Sequence, residues 1–170
     1  MSERVSDKSI VVGVDGSEAS QAALRWALEE ARALGTRLVV VHAWEQAAAR
    51  FAPYAPVAAR PTAAEQQERA AELLATAVHQ TLGPRVDPAV HAVVVEGPPV
   101  RVLLQQARGA LLLALGRSSH PQRQLPGVGA VGRECLRHAT VPVVTVPSPE
   151  RPEASVRDLG DTARVRSGAA

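Results

Sequence analysis

The sequence predicts an α/β fold built on a mostly parallel sheet, and three observations carry that reading. Short runs of β-branched and aliphatic residues recur along the chain, and segments with apolar residues at helical spacing separate them. The first strand, helix and second strand also fit within about forty residues, the span of a βαβ unit with its right-handed crossover. Alternation of this kind along the whole chain places helices over the sheet faces.

Ser9 to Val14 (SIVVGV) forms the first strand, apolar on both sides as a strand inside a parallel sheet must be. Asp15-Gly16-Ser17 then supplies a turn and a helix N-cap. Leu24, Ala27, Leu28, Ala31 and Leu34 line one face of the helix that follows, and Gly35 stands where a left-handed C-terminal cap belongs. Arg37 to His42 (RLVVVH) is the second strand. From Trp44 to Pro61 alanine and proline recur without a period, which describes an excursion over the surface covering residues 45–61. Thr62-Ala63-Ala64-Glu65 is a capping box, opening a helix whose Leu73, Leu74, Ala77, Val78 and Leu82 share a face until Gly83-Pro84. Val90 to Val95 is the third strand, and Gly97-Pro98-Pro99 starts a short helix with proline in its tolerated first turn, directing Val102, Leu103 and Ala107 inward. Leu111 to Leu115 is a fourth, wholly apolar strand ending at Gly116. After a polar loop, Gly127, Gly129 and Gly132 bracket the start of a fourth helix whose Val128, Val131, Cys135 and Ala139 share one face. A fifth strand begins at Pro142, where a first-residue proline breaks no essential ladder bond, and ends at Val146.

Length and composition bound the function. At 170 residues and 46% apolar, with four aromatics in total, the chain has room for one domain with an aliphatic core, expected over residues 9–146. Residues 1–8 read as a flexible arm, and 147–170, rich in Pro, Ser and balanced charge, as a disordered tail. Nineteen basic against seventeen acidic residues argue against a general nucleic-acid surface. Cys135 is the only cysteine, so no internal disulfide forms, and its place on an apolar helix face marks a buried small residue rather than a nucleophile. The N-terminal MSERVSDKS has no apolar signal core and no run approaches bilayer length, so the expected location is the cytoplasm, without a membrane partner.

The stretch from Leu111 to Val146 is where a ligand is expected. The first-turn amides of a helix have no partner within it, and glycines let a ligand approach the backbone, so the Gly127–Gly132 segment suits an anion such as phosphate. Between Gly116 and His138 four arginines (117, 123, 133, 137) stand against Glu134, a formal +3 that exceeds the +2 of the whole chain. Gly127 to Gly132 also satisfies G-x-G-x-x-G, but a dinucleotide fingerprint follows its strand directly, and here ten residues intervene after Gly116. The plainer alternative is that these glycines serve loop packing and capping alone.

Ile10-Val11-Val12-Gly13-Val14-Asp15-Gly16-Ser17 near one end, with Gly129-Ala130-Val131 and His138-Ala139-Thr140-Val141-Pro142-Val143-Val144 near the other, resembles the universal stress protein family in order and spacing over about Ser9 to Val146. The resemblance implies a single-domain three-layer α/β/α sandwich, a five-stranded parallel sheet in the order 3-2-1-4-5, and usual homodimerisation; in that order the apolar, β-branched run Val141 to Val146 lies at a sheet edge, so the dimer is expected through the fifth strand. In one branch of that family it implies ATP binding through G-x-x-G-x9-G-[ST]. Gly116 matches the first glycine, Ser119 replaces the second, Gly129 matches the third, and Ala130 replaces the hydroxyl residue. The resemblance further implies that Asp15, beside Gly16, contacts adenosine, that the Val41 backbone meets the adenine, and that the loop with Arg117 and the helix start at Gly129, Ala130 and Val131 hold the phosphates. Independently, the first and fourth strands flank the topological switch point of such a sheet, which brings Asp15 and Gly116 together at the carboxyl edge. The expected cofactor is therefore ATP or another adenine nucleotide, weakened by Ser119 and Ala130.

No Walker P-loop, G-x-S-x-G elbow or H-E-x-x-H occurs, and the five histidines are too scattered to form a metal set by spacing. His42, closing a strand, reads as a structural hydrogen-bonder, and His120 as either a surface residue or a phosphate contact. The expected function is a non-enzymatic, stress-associated nucleotide-binding module. The alternatives are an interaction protein of the same fold without ATP and, third, a nucleotide hydrolase or transferase.

Overall fold

The computed structural model describes residues 9–46, 61–85, 87–117 and 127–149. Five strands and four helices alternate: β1 (Ser9–Gly13), α1 (Glu18–Leu34), β2 (Arg37–Trp44), α2 (Ala63–Leu82), β3 (Val90–Glu96), α3 (Pro99–Gln106), β4 (Leu112–Arg117), α4 (Ala130–His138) and β5 (Val143–Pro147). The strands form one sheet in the order β3-β2-β1-β4-β5, every pairing parallel, as expected. The excursion at 45–61 falls almost wholly outside the described residues, as do the arm at 1–8 and the chain from 150 onward.

Strand alternation divides the core in two. Ile10, Val12, Leu38 and Val40 pack with Leu24, Leu28, Leu74 and Val78 of α1 and α2 on one face of the sheet. Val11, Val41, Leu113 and Leu115 pack with Val102, Leu103 and Cys135 of α3 and α4 on the other. Period-two strands between two helical layers require both faces of every central strand to be apolar, which is why these strands read as unbroken aliphatic runs.

Helix ends follow their expected signals. Ser17 caps α1 by accepting from the Ser20 amide at 3.2 Å, and Gly35 closes it at φ +60°. Thr62 and Glu65 form the reciprocal capping box on α2. Several boundaries and facings differ from expectation. Leu34 keeps the helical period yet stands 57% exposed, because it lies in the last turn, one residue before the cap, where the chain turns back toward β2. β4 runs to Arg117 rather than stopping at Leu115, since Gly116 and Arg117 pair with Val146 and Pro147. β5 correspondingly includes Pro147, and the Ser148 amide donates to the Arg117 carbonyl at 3.1 Å, so the first residues assigned to the tail belong to the sheet edge. Pro142 precedes the strand and joins the ladder only by its carbonyl, which accepts from the Leu113 amide at 2.9 Å.

Gly116 holds α1 close to the sheet. A Cβ there would collide with the Ala19 carbonyl and lie 2.6 Å from the Ser20 amide nitrogen, both backbone atoms in the first turn of α1. Gly129, the other glycine shared with the nucleotide motif, has φ −61°, and among the described residues nothing lies within 4 Å of an added Cβ. Gly116→Ala should therefore destabilise the fold by about 2–4 kcal/mol, through overpacking against rigid backbone. Gly129→Ala, losing only a favourable N-cap residue, should cost under about 1 kcal/mol. Urea unfolding midpoints of the two variants check this, and equal losses would remove the distinction.

Candidate functional site

The carboxyl ends of β1 and β4 open a cleft of about 580 Å³ between the start of α1 and the start of α4. Its position follows from topology. From β1 the chain leads through α1 to β2 on one side, and from β4 through α4 to β5 on the other, so the two connections leave a crevice at the switch point.

The β1–α1 turn forms one wall. Gly16 takes φ +85°, a conformation that glycine adopts without strain, and so lets the chain reverse into the helix. Asp15 accepts from the Ser17 amide through Oδ1 at 2.9 Å, its own amide donates to Ser20 Oγ at 3.4 Å, and Ser20 Oγ donates to the Ser17 carbonyl at 2.9 Å. Burial works against ionisation of Asp15, but the hydrogen bonds from Ser17, from Ser20 and from its own amide together outweigh it and hold the carboxyl below its ordinary value. The turn thus presents an ionised, oriented acceptor.

The start of α4 forms the opposite wall. Gly129 is its N-cap in extended conformation, and no side chain among the described residues caps the amides of Ala130, Val131 and Gly132, which line the cleft. Val131 was expected on the inward face of the helix. It is instead 36% exposed, because its position in the first turn faces the opening, and Gly132 and Cys135 take the buried places. Burial, with the Glu134 charge beside it, raises the Cys135 thiol, as befits a packed small residue.

Six of the nine residues expected from the sequence line this one cleft: Asp15, Val41, Gly116, Gly129, Ala130 and Val131. Gly16 faces the neighbouring groove beside Leu73 of α2. Arg117 does not line the cleft, and its Nε is buried with no hydrogen-bond partner among the described residues. Ser119, with His120 and Arg123, lies outside the described residues. Val41 is buried, and its carbonyl already accepts from the Val14 amide at 2.9 Å, so Ala43, two residues on, is the more open strand position. Sequence reasoning did not foresee Leu103 and Leu115 as the apolar floor. Their hydrophobicity marks them as core, and only the packing of α3 beneath the strand ends brings them to the cleft.

Of the four arginines expected near the glycines, Arg117, Arg133 and Arg137 do not line the cleft, and Arg123 lies outside the described residues. Arg137 pairs with Glu134 at 2.9 Å in the last turn of α4, with His138 at 3.4 Å from the same carboxylate. Two helical turns, about 10 Å, separate Arg137 from the amides at the helix start. The acidic side chains that line the cleft are Asp15 and Glu18. Helical spacing, invisible in a count of charges, carries Arg137 and His138 away from the cleft. Among the described residues no group of three or more His, Cys, Asp or Glu is placed to hold a metal ion, and no helix is long and apolar enough to cross a membrane.

Because the folded Asp15 carboxyl lies below its unfolded value of about 3.9, its charge stabilises the fold above that pH, and the contribution is lost as the pH falls through the lower folded value. The stability of the parent protein should therefore fall more steeply than that of Asp15→Asn between about pH 4.5 and 2.5. Urea midpoints measured in parallel test this, and parallel profiles would refute it.

The profile of the Universal stress protein family matches residues 8–147. A universal stress protein of Mycobacterium tuberculosis is 34% identical over 148 residues, which cover 84% of this chain and 45% of that protein. The chain thus spans about half the length of the curated relatives it matches. Among solved structures, a universal stress protein in complex with cAMP aligns with TM-score 0.59 at 21% identity, covering 83% of this chain and 97% of that one. The universal stress protein from Archaeoglobus fulgidus in complex with dAMP aligns with TM-score 0.56 at 24% identity, covering 82% and 97%. These two similarities establish a shared fold, and the family match over nearly all the described residues establishes that the chain belongs to the universal stress protein family.

Proposed function

We propose that the cleft at the β1/β4 switch point binds an adenine nucleotide and that the protein is a binding module of the stress response rather than an enzyme. The observation that carries this reading is convergence. Residues expected from three separate parts of the sequence meet around one cleft that combines an apolar floor, an ionised acceptor and a row of helix amides that no side chain caps among the described residues. Leu103, Leu115 and Ala43 suit a flat nucleobase, Asp15 suits a ribose hydroxyl, and the amides of Ala130, Val131 and Gly132 suit a phosphate. The cAMP and dAMP complexes of proteins with this fold support the ligand class.

Two departures from the nucleotide motif weaken the phosphate end. Ala130 sits at the first helical position without the hydroxyl that would donate to a phosphate oxygen, a bond to a charged group worth about 1.5–3 kcal/mol. Ser119 stands where the motif has glycine. ATP should therefore bind at roughly tens of micromolar or more weakly, and Ser119→Gly with Ala130→Ser should tighten it about tenfold or more. Calorimetry with ATP, AMP and cAMP tests the reading. Sub-micromolar ATP binding by the parent, or no gain in the double variant, would overturn the account of the motif. No binding of any of the three would favour the alternative, an interaction protein of the same fold that works without nucleotide.

The reading includes a homodimer through β5. That strand lies at the edge of the sheet, and Val143, Val144 and Val146 are only half-buried, a surface that invites pairing with a second copy. Val146 packs against the α1 side of the core, whereas Val144 belongs to neither core cluster, so Val144→Lys probes the edge with least damage to the fold. Sedimentation should show a dimer for the parent and a single-chain mass for the variant. An unchanged dimer mass would reject this interface.

A further inference from the structure

Gly13 lines the cleft at the end of β1, and a glycine within a strand brings no side chain to pack and weakens the element. Its φ lies outside the left-handed region, so the backbone does not call for glycine there. Strand alternation sets it on the same face as Val11, the face that α3 and α4 cover. Val41 of β2 lies beside it, and the register that pairs Val12 with Ala114 brings Leu115 of β4 to its other side. A Cβ built on Gly13 would lie 2.9 Å from Leu115 Cδ2, 2.9 Å from Leu103 Cδ2 and 3.3 Å from Leu103 Cδ1. Two leucines from separate elements therefore occupy the space that a side chain at this position would take.

Neither the strand end nor the layer beneath the leucines has room to give way. The Val14 amide donates to the Val41 carbonyl at 2.9 Å, and His42 Nδ1 donates to the Val14 carbonyl at 2.7 Å, since a carbonyl oxygen only accepts. These bonds fasten the residue after Gly13 to β2 and give His42 the structural role read from the sequence. Below the two leucines, Val11, Val41, Leu113 and Cys135 are buried in the same cluster, and such interiors yield little. The open side is the cleft, which Leu103 and Leu115 line together with Gly13. The missing Cβ thus lets the δ-methyls of both leucines settle toward β1, and the depth of the apolar floor depends on it.

We infer that Gly13 is a positioning residue for base recognition: it admits Leu103 and Leu115 close to β1, so that the flat base of the nucleotide seats on their δ-methyls. The inference rests on the nucleotide reading of the cleft and names the residue that sets the depth of its base end. In Gly13→Ala the methyls must retreat by roughly half an ångström to regain ordinary carbon–carbon separation, and the retreat is into the cleft. The ends of leucine side chains are mobile enough for the variant to fold. Its floor is shallower under the base and unchanged at the start of α4, so affinity for the base should fall about tenfold.

Adenosine presents the base without a phosphate, and AMP adds the phosphate end. Calorimetry on Gly13→Ala should show both ligands weakened about tenfold, with the ratio of their affinities within about twofold of the parent's. A general distortion of the cleft would move that ratio. Leu103 makes two of the three close approaches, and valine is one carbon shorter, so adding Leu103→Val to Gly13→Ala should recover about threefold or more in adenosine affinity, a gain that Leu103→Val alone does not give. Undiminished adenosine binding by Gly13→Ala, a shifted ratio, a loss that Leu103→Val leaves unrelieved, or an equal gain from Leu103→Val alone would each overturn the inference while leaving nucleotide binding intact. Absence of adenosine and AMP binding by the parent would instead overturn the reading of the cleft and this inference with it. Should Gly13→Ala fail to fold, methyl NMR of the parent decides: the ring of bound adenosine should shift the δ-methyl signals of Leu103 and Leu115, and unmoved signals would refute the seat.

Discussion

The backbone of the first turn of α1 rests directly on Gly116 of β4, and much of the architecture depends on that contact. A side chain at this position would force helix and strand apart. With hydrogen there, α1 spans β1 and β4 at backbone distance, the buried Ser20 hydroxyl reaches the Asp15 turn, and the cleft between the two strand ends keeps a narrow floor. Interiors are close-packed and yield little, so a single missing Cβ determines where a whole helix lies. The glycine that a nucleotide motif would explain by ligand approach is required first by helix packing, whereas a Cβ added at Gly129 would meet nothing within 4 Å among the described residues.

Most of the fold is legible in the sequence because its signals are local. Aliphatic runs mark the strands, Ser17 and the Thr62–Glu65 box mark helix starts, and Gly35 marks a helix end. The resemblance between short stretches near either end and a known family adds the strand order, which no local signal contains. What escapes is whatever depends on how far an element extends relative to its neighbours. Leu34 has the correct period but falls in the final turn. Gly116 and Arg117 look like loop, yet the partner strand continues and draws them into the ladder.

The site shows the same division. Asp15, Gly116 and the start of α4 can be placed together from topology alone, since parallel strands gather their carboxyl ends at one edge. The floor cannot, because Leu103 and Leu115 are indistinguishable in composition from any core leucine. Nor can the electrostatics, because a count of arginines near the glycines ignores that α4 carries Arg137 to its far end and pairs it with Glu134. His42 illustrates the limit most clearly. A histidine closing a strand suggests a structural bond, which exists, but only the three-dimensional arrangement reveals that its partner is the Val14 carbonyl, 28 residues back along the chain.

The parallel course of the strands also gives the unit a polarity that matters for anything joined to it. Ser9 opens β1 opposite Arg37 at the amino edge of the sheet, whereas Ser148 leaves β5 at the carboxyl edge and itself borders the cleft. These edges are separated by a strand length, about 17 Å for five residues. A reporter or second domain attached after Pro149 therefore starts life at the mouth of the cleft, at high effective concentration toward whatever binds there. The same cargo attached ahead of Ser9 starts a full sheet away, so in designed fusions the end chosen for the linker determines whether the passenger sits beside the cleft or remote from it.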